Sequence, residues 1–488
     1  MPKKAIVIGA GVAGLASAIR LAQKGFKVEI LEANSYPGGK LHSFTQEGYR
    51  FDAGPSLFTM PHFVEELFTL CQKPVEAYFQ YSKMEEACRY FYEDGTRLIV
   101  HADTEKFAQE VESQLGVPSE RVLKYLAHSR QIYETSGKIF LEKSLHKADT
   151  WLSTEVLKAL LLIPSFDLHR SMHGANSSRL KHPKLIQLFD RFATYNGSSP
   201  YQAPGILNVI PHLEHGFGTF FPKGGMHAIT RALVQLAEEM GVKIRYQQRV
   251  EKILVENGKA IGVELNGEKR FTDVVISNMD VVPTYRKLLP TEKAPERTLR
   301  QERSSSALIF YWGIQKELPE LGLHNIFFSE NYKEEFRQIF EEKTVYADPT
   351  VYIHISSKVE KEDAPAGCEN WFVMVNVPGN TGQDWSQITQ AVREAVLLKL
   401  SRILGQDIAS LIANESILDP IRIEENTASY QGSLYGAASN NAFAAFLRHP
   451  NFSSSIQNLH FCGGSVHPGG GIPLCLLSAK IMVDTLTV

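Results

Sequence analysis

Four apolar residues, Ala5 to Ile8, predict a short buried strand close to the start of the chain. Leu15, Ile19 and the pair Leu21 and Ala22 then give the next stretch one apolar helical face, and Lys27 to Leu31 reads as a second strand ending at Glu32. Between the first strand and the helix lies Gly9-Ala10-Gly11-Val12-Ala13-Gly14, a turn too rich in glycine to be either element. The order is strand, tight turn, helix, strand, acid.

Further along, Cys88 to Tyr92 and Arg97 to His101 alternate around Asp94-Gly95, which predicts a β-hairpin. From Asp103 to about Leu188 the pattern is helical. Pro222-Lys223-Gly224-Gly225-Met226 opens another helix to about Met240, followed by four predicted strands, Lys243 to Tyr246, Val250 to Glu256, Ala260 to Leu265 and Phe271 to Ile276. Asn257-Gly258 and Asn266-Gly267 are hairpin turns within this meander. Mixed strands and helices fill about 290 to 455, including strands at Ser306 to Gly313, Val351 to Ser356 and Trp371 to Val377. The chain closes on a strand at Leu459 to Cys462, a glycine loop through Pro473, and a helix from about Leu474 to Leu486.

The 488 residues suffice for two or three domains, and a net charge of −3 gives no pull toward nucleic acid. Five cysteines, Cys71, Cys88, Cys368, Cys462 and Cys475, lack metal-ligand spacing, so no metal site is expected and the thiols should be reduced. The first predicted strand begins almost at the first residue, which is expected to leave no room for a leader and sets the expectation of a cytosolic protein. The longest apolar run, Ala159 to Ile163, stops at Pro164, far short of a membrane span. Charge is uneven in one place: over 121–184 basic residues outnumber acidic ones about two to one. That stretch also carries Leu123, Leu126, Ile132, Ile139, Phe140, Leu141, Leu145, Trp151 and the run Leu160 to Ile163. A basic amphipathic segment of this kind suits an anionic membrane surface, and the alternative is a solvated basic face on ordinary packed helices.

The first forty residues carry the chemistry. Gly9 makes the turn, Gly11 lets backbone approach a pyrophosphate, Gly14 lets helix and strand pack, and the helix N-terminus offers N–H groups to the phosphates. Glu32 is placed to accept from a ribose 2′-hydroxyl and repels a 2′-phosphate, which disfavours NADP. Gly38-Gly39-Lys40 and Tyr49 to Ser56 follow closely, so backbone there can pass the same ligand, with Lys40 able to meet a phosphate; ordinary loop punctuation is the other reading. No second G-x-G-x-x-G occurs, which implies one dinucleotide site.

Taken together, the fingerprint, Gly38-Gly39-Lys40, Phe51-Asp52-Ala53-Gly54-Pro55, Pro222-Lys223-Gly224-Gly225, Val275 to Asp280 and the tail His467-Pro468-Gly469-Gly470-Gly471-Ile472-Pro473 resemble the bacterial carotenoid desaturases of the phytoene desaturase type. Phe166 to Ser171 and Leu188 to Pro200 look more like the 1-hydroxycarotenoid 3,4-desaturases than like enzymes acting on phytoene. The resemblance implies an α/β fold with an α+β substrate part: a discontinuous Rossmann-like FAD-binding domain of the amine oxidase type, a mixed-sheet substrate domain and a helical membrane-facing segment. On this chain the FAD-binding part falls on 1–102, 215–289 and 456–488, the helical segment on 103–214 and the substrate domain on 290–455. Implied FAD contacts are Gly9, Ala10, Gly11, Gly14, Glu32, Gly39, Lys40, Gly54, Pro55, Ser56, Leu57, Val250 beside adenine, Gly464, Ser465, Gly471 and Ile472. Asn278 and Asp280 belong to the same set, with capping of their own turn as the alternative role. A carotenoid substrate, a peripheral place on the cytoplasmic membrane surface, and oxygen or a quinone as electron acceptor complete the expectation.

Desaturation removes a hydride equivalent and a proton. Asp167 and Arg170 are the candidate catalytic residues, because charged groups amid Leu162, Ile163, Phe166 and Leu168 need a purpose; a surface ion pair is the plainer reading. His467, before Pro468, invites a catalytic role but suits a loop-fixing backbone hydrogen bond better. Cys462 sits within a strand and is a poor site for covalent flavin. Rival readings are a phytoene or other acyclic carotene desaturase or isomerase, an amine oxidase, and a flavin-free chaperone for prenylated small GTPases.

Overall fold

A strand whose apolar residues are buried on both faces belongs inside a covered parallel sheet. Strand β1 (Lys4–Ile8) obeys this rule: it lies at the centre of a five-stranded parallel sheet ordered Leu459–Phe461, Val274–Ser277, β1, β2 (Lys27–Leu31) and Lys243–Arg245. The computed structural model describes residues 1–151, 166–441 and 447–486. Helix α1 (Val12–Gln23) crosses from β1 to β2 and packs on the helices His227–Glu239 and Ile472–Thr485. Strands from the beginning, the middle and the end of the chain thus meet in one sheet.

The expected four-stranded meander is corrected to three strands. Lys252–Glu256, Lys259–Leu265 and Glu268–Phe271 form the antiparallel unit, with positive φ at both residues of each Asn-Gly turn. Lys243–Arg245 pairs instead with β2, and Val274–Ser277 with β1. Burial explains the split: Glu268–Phe271 is largely exposed, whereas all four residues of Val274–Ser277 are buried and need a covered sheet.

A second sheet of seven strands runs Ile412–Leu418, Ser306–Ile314, Glu369–Val377, Val351–His354, His324–Phe327, Glu86–Phe91 and Arg97–His101. The hairpin 86–101 lies in the first FAD-binding stretch by sequence and in this sheet by pairing. Period-two alternation sorts its side chains between two destinations. Leu308, Phe310, Trp312, Trp371, Val373 and Val375 pack with the helix Trp385–Leu404 on one face. Ile309, Phe372 and Met374 point the other way, into a cavity that reaches back to β1.

Between the sheets, the helices Thr104–Leu115, Ser119–Ile132, Met172–Leu180 and Pro183–Asp190 bury Phe107, Val122, Tyr125, Leu126 and Phe189 in a core shared with Tyr90 and Leu98. Much of the apolar side of the basic segment therefore faces inward. Trp151, at 45% exposure, is its one exposed large apolar side chain among the described residues; the runs Ala159 to Ile163 and Leu160 to Ile163 lie outside them. Among the described residues no helix is long and apolar enough to cross a membrane.

Candidate functional site

A cavity of about 730 Å³ opens at the turn between β1 and α1 and continues to the inner face of the seven-stranded sheet. Its first half is lined mainly by backbone. Gly9 has φ +95°, and a Cβ on Gly14 would stand 2.1 Å from the Gly9 carbonyl oxygen. Both positions exclude side chains, so the turn stays tight. The N-terminus of α1 has no side-chain cap and no acid in its first turn, which leaves its positive dipole end to face the cavity. The helix Ile472–Thr485 begins the same way, after Gly471, with no side-chain cap and no first-turn acid. Two helix N-termini, neither capped by a side chain of its own N-cap residue, border one cavity.

Glu32 is buried at the end of β2, where its carboxylate accepts from the N–H groups of Ala10 (2.6 Å) and Asn34 (2.8 Å). Burial raises its pKa, and those N–H groups oppose the shift. Val250, also buried, lies nearby in the lining together with Gln248 and Arg249. With its amide oxygen turned toward α1, Asn278 accepts from the N–H groups of Gly11 and Gly14 at 3.3 Å each. Asp280 accepts from Val282 N–H and pairs with Arg303, while the Ser465 hydroxyl accepts from Val281 N–H at 3.0 Å. Asn278, Asp280 and Ser465 therefore fasten the turns that border the cavity, as well as lining it.

Lys40 lines the cavity, and its ammonium donates to the carbonyls of Ser433 (3.0 Å) and Leu434 (2.8 Å), so two of its three N–H groups are committed to backbone. Burial lowers its pKa to about 8, with Asp280 opposing. Gly39, the loop Gly54 to Leu57, Gly464 and Gly471 also line the cavity.

Beyond that loop, side chains take over. Ser56 Oγ and Tyr352 Oη lie 2.7 Å apart, and Tyr352 Oη is 2.8 Å from His324 Nδ1. Burial holds His324 well below the ordinary imidazole range, so the ring is neutral. Arg191, Tyr195 and Glu214 form a second polar group in the lining, next to Ile309, Ile326, Phe372 and Met374.

The two catalytic candidates lie elsewhere. Asp167 is buried, with its carboxylate 2.7 Å from Arg179 and 3.7 Å from His128; Arg170 is exposed and donates to His169 and Ser178. They do not pair with each other, and neither lines the cavity. The charge of Asp167 serves a helix-to-helix contact, which accounts for its apolar surroundings. His467 Nε2 bonds the Lys143 carbonyl at 2.9 Å, and burial lowers its pKa to about 4, which leaves a neutral ring holding the tail loop. Cys462 is buried, with burial raising its thiol to about 12, and it does not line the cavity.

Sequence reasoning missed Arg191, Glu214, His324 and Tyr352 as site residues. For Arg191 a signal existed: the charged residues Asp190-Arg191 between Leu188-Phe189 and Phe192-Ala193 are as anomalous as the charge at Asp167.

A model of the family described as flavin containing amine oxidoreductase matches residues 12–486. The chain is 54% identical over 484 residues to a 1-hydroxycarotenoid 3,4-desaturase of Flavobacterium sp., covering 99% of each. It is 35% identical over 492 residues to a 4,4'-diapolycopene oxygenase of Methylomonas sp., covering 99% of this chain and 98% of the other. Among solved structures, an oxidoreductase from Methanosarcina mazei superposes with a TM-score of 0.65 at 18% identity over 99% of this chain and 100% of that one. Wild-type putrescine oxidase with putrescine bound gives 0.62 at 13% identity, over 99% and 98%. At those identities the structures speak to fold alone.

Proposed function

We infer, from the premise that this chain belongs to the flavin-containing amine oxidoreductase family and is an FAD-dependent carotenoid desaturase, that it introduces the C3–C4 double bond into the acyclic end of a 1-hydroxycarotenoid. The observation that carries this reading is the continuity of the cavity, from a backbone-built dinucleotide end to an apolar sheet face. FAD fits the first half: two helix N-termini, free of first-turn acids and without a cap from their own N-cap residues, suit its pyrophosphate, the Glu32 carboxylate suits an adenosine ribose, and the glycine walls leave room for a flat ring. Gly9, Ala10, Gly11, Gly14, Glu32 and Val250 are the residues assigned to its nucleotide end. Gly39, Lys40, Gly54 to Leu57, Gly464, Ser465, Gly471 and Ile472 are assigned to its flavin end, with Asn278 and Asp280 as supports for the turns. Bound FAD supplies the acceptor for the hydride equivalent.

The chain's own task is positional. Ile309, Ile326, Phe372 and Met374 present a dry surface on which one short stretch of polyene is held while water is excluded. The carbon that loses hydride is allylic to the polyene, so charge developing there is delocalised and the demand for a strong base is small. Ser56, Tyr352 and His324 form a hydrogen-bonded polar group in the cavity wall, and burial keeps the His324 ring neutral.

A carotenoid starts in lipid, so extraction into an apolar cavity is near neutral, and direct uptake from a bilayer is the economical route. The basic excess over 121–184 and exposed Trp151 support a peripheral place on the cytoplasmic membrane surface, with oxygen or a membrane quinone reoxidising the flavin. Charge reversal of the basic residues should weaken liposome binding; unchanged binding removes this part of the reading. The reaction itself is tested with FAD-loaded protein and liposomes carrying either a 1-hydroxylated acyclic-ended carotenoid or phytoene. A red-shifted absorption spectrum of the extracted pigment with the hydroxylated substrate alone is expected. Conversion of phytoene instead would move the protein to an earlier desaturation.

A further inference from the structure

Arg191 and Glu214 are 7% and 3% exposed, and both line the cavity. The Arg191 guanidinium is clamped over three rings, with its Cζ 4.8 Å from the centroid of Phe192, 5.1 Å from Tyr195 and 5.3 Å from Tyr90. Its Nη1 donates to Tyr195 Oη at 3.3 Å, Tyr195 Oη donates to Glu214 Oε2, and Arg191 Nη2 stands 3.7 Å from the same oxygen. Three buried polar atoms are left over. Arg191 Nε and Nη2 and Glu214 Oε1 have no hydrogen-bond partner among the described residues.

Taking an ion pair out of water is costly, and so is leaving a buried polar group unpaired. Apolar side chains of similar volume would serve stability as well or better, so the pair points to a role other than stability. A hydrocarbon end group would leave all three atoms unpaired. A hydroxyl, with one donor and an acceptor oxygen, matches a carboxylate oxygen beside guanidinium N–H groups.

Resting on the reaction proposed above, we propose that Arg191 and Glu214 read the tertiary hydroxyl of the substrate: Glu214 Oε1 accepts from the hydroxyl, an Arg191 N–H donates to its oxygen, and Tyr195 fixes the carboxylate. The hydroxyl carbon is two bonds from the first carbon of the bond oxidised, so recognition at this point places that bond along the chain. His324, Tyr352 and Ser56, the last in the loop expected beside the flavin, form a hydrogen-bonded run in the lining of the same cavity. A site built to hydrogen-bond a hydroxyl rejects the analogue lacking it far more strongly than an apolar pocket rejects an added one.

The experiment measures kcat/KM of the holoenzyme in liposomes for two substrates, a 1-hydroxylated carotenoid and the same polyene saturated at C1 and C2 without the hydroxyl. Wild type should prefer the first. Glu214→Gln and Arg191→Met should each reduce that preference by about tenfold or more, mainly through KM for the hydroxylated substrate, and Tyr195→Phe should reduce it less. Flavin content and melting temperature identify any variant that fails to fold; Glu214→Gln is near-isosteric and keeps an oxygen for Tyr195, so it and Tyr195→Phe carry the test if Arg191→Met is lost. Variants that hold flavin and keep the wild-type preference overturn this assignment. A wild type that ignores the hydroxylated substrate and converts phytoene overturns the proposed reaction instead, so the two failures are distinguishable.

Discussion

The two ends of the cavity are made of different material. At the nucleotide end the walls are peptide: glycine turns, two helix N-termini and the carbonyls that hold Lys40. At the substrate end they are side chains delivered by separate elements, with Arg191 and Tyr195 following the helix Pro183–Asp190, Glu214 on a short helix, and His324 and Tyr352 on strands of the seven-stranded sheet. Backbone has one shape wherever the turn is made correctly, so the first end suits a ligand that never changes. Side chains can be exchanged singly without unmaking a turn, so the second end is where substrate choice is set.

The sharpest way to break this contrast is to change one residue at each end. In Gly14→Val the new Cβ meets the Gly9 carbonyl at 2.1 Å and Asn278 at 2.9 Å, and the first of these is backbone that cannot step aside. Loss of bound flavin is expected, read as visible absorbance per mole of protein. Met374→Leu at the substrate end conserves volume and should cost less than about 1.5 kcal/mol with flavin retained. Flavin retained at wild-type level in Gly14→Val would mean that the turn is not what holds the nucleotide.

A smaller effect separates structural charge from site charge. Asp167→Ala strands Arg179 beside a buried surface and should cost about 2–4 kcal/mol, below the range for a fully buried pair because the Arg179 side chain is 28% exposed. Arg170→Ala, at an exposed position, should stay within about 0.5 kcal/mol. Turnover per bound flavin should be wild-type in both. A fall in that quantity for Arg170→Ala, with unchanged melting, would return the residue to the chemistry.

These two ends also differ in how far they could be read in advance. Gly9, Gly14 and Glu32 were legible because a tight turn, a close helix and a strand-end acid impose fixed spacings on consecutive residues. The helix after Gly471 was legible for the same reason. The substrate end has no such spacing: the partner of Arg191 is Glu214, and Tyr352 meets Ser56 from the other side of the chain, so only the folded sheet brings them together. An anomalous charge in an apolar run marks a buried polar partner but not which cavity it faces, and this is why Asp167 and Arg191 carry the same signal with opposite outcomes. The strands Lys243–Arg245 and Val274–Ser277 were assigned to the meander because they adjoin it; their burial, which decides their sheet, depends on β1 and β2 far away in sequence.

Lys40 lies where backbone walls give way to side chains, and its titration tests the boundary. Burial lowers its folded pKa from 10.5 to about 8. Below the lower value the folded and unfolded states both carry the proton, and the cost of burying the charge is paid in full. Between about 8 and 10.5 the unfolded chain binds more protons than the folded one, so stability rises with pH; it is lost again as pH falls through the folded value. Between pH 7 and 9 the gain should be about 1 kcal/mol. In Lys40→Met this rise should disappear, so the denaturation midpoint of wild type minus that of the variant should increase as pH rises from 7 to 9. Carbonyls of Ser433 and Leu434 account for the position of the side chain whether or not a nucleotide is bound, so the same slope is expected in flavin-depleted protein. A slope that appears only after depletion would show that the bound phosphate holds the Lys40 charge, and the boundary between the two halves would then lie further along the cavity.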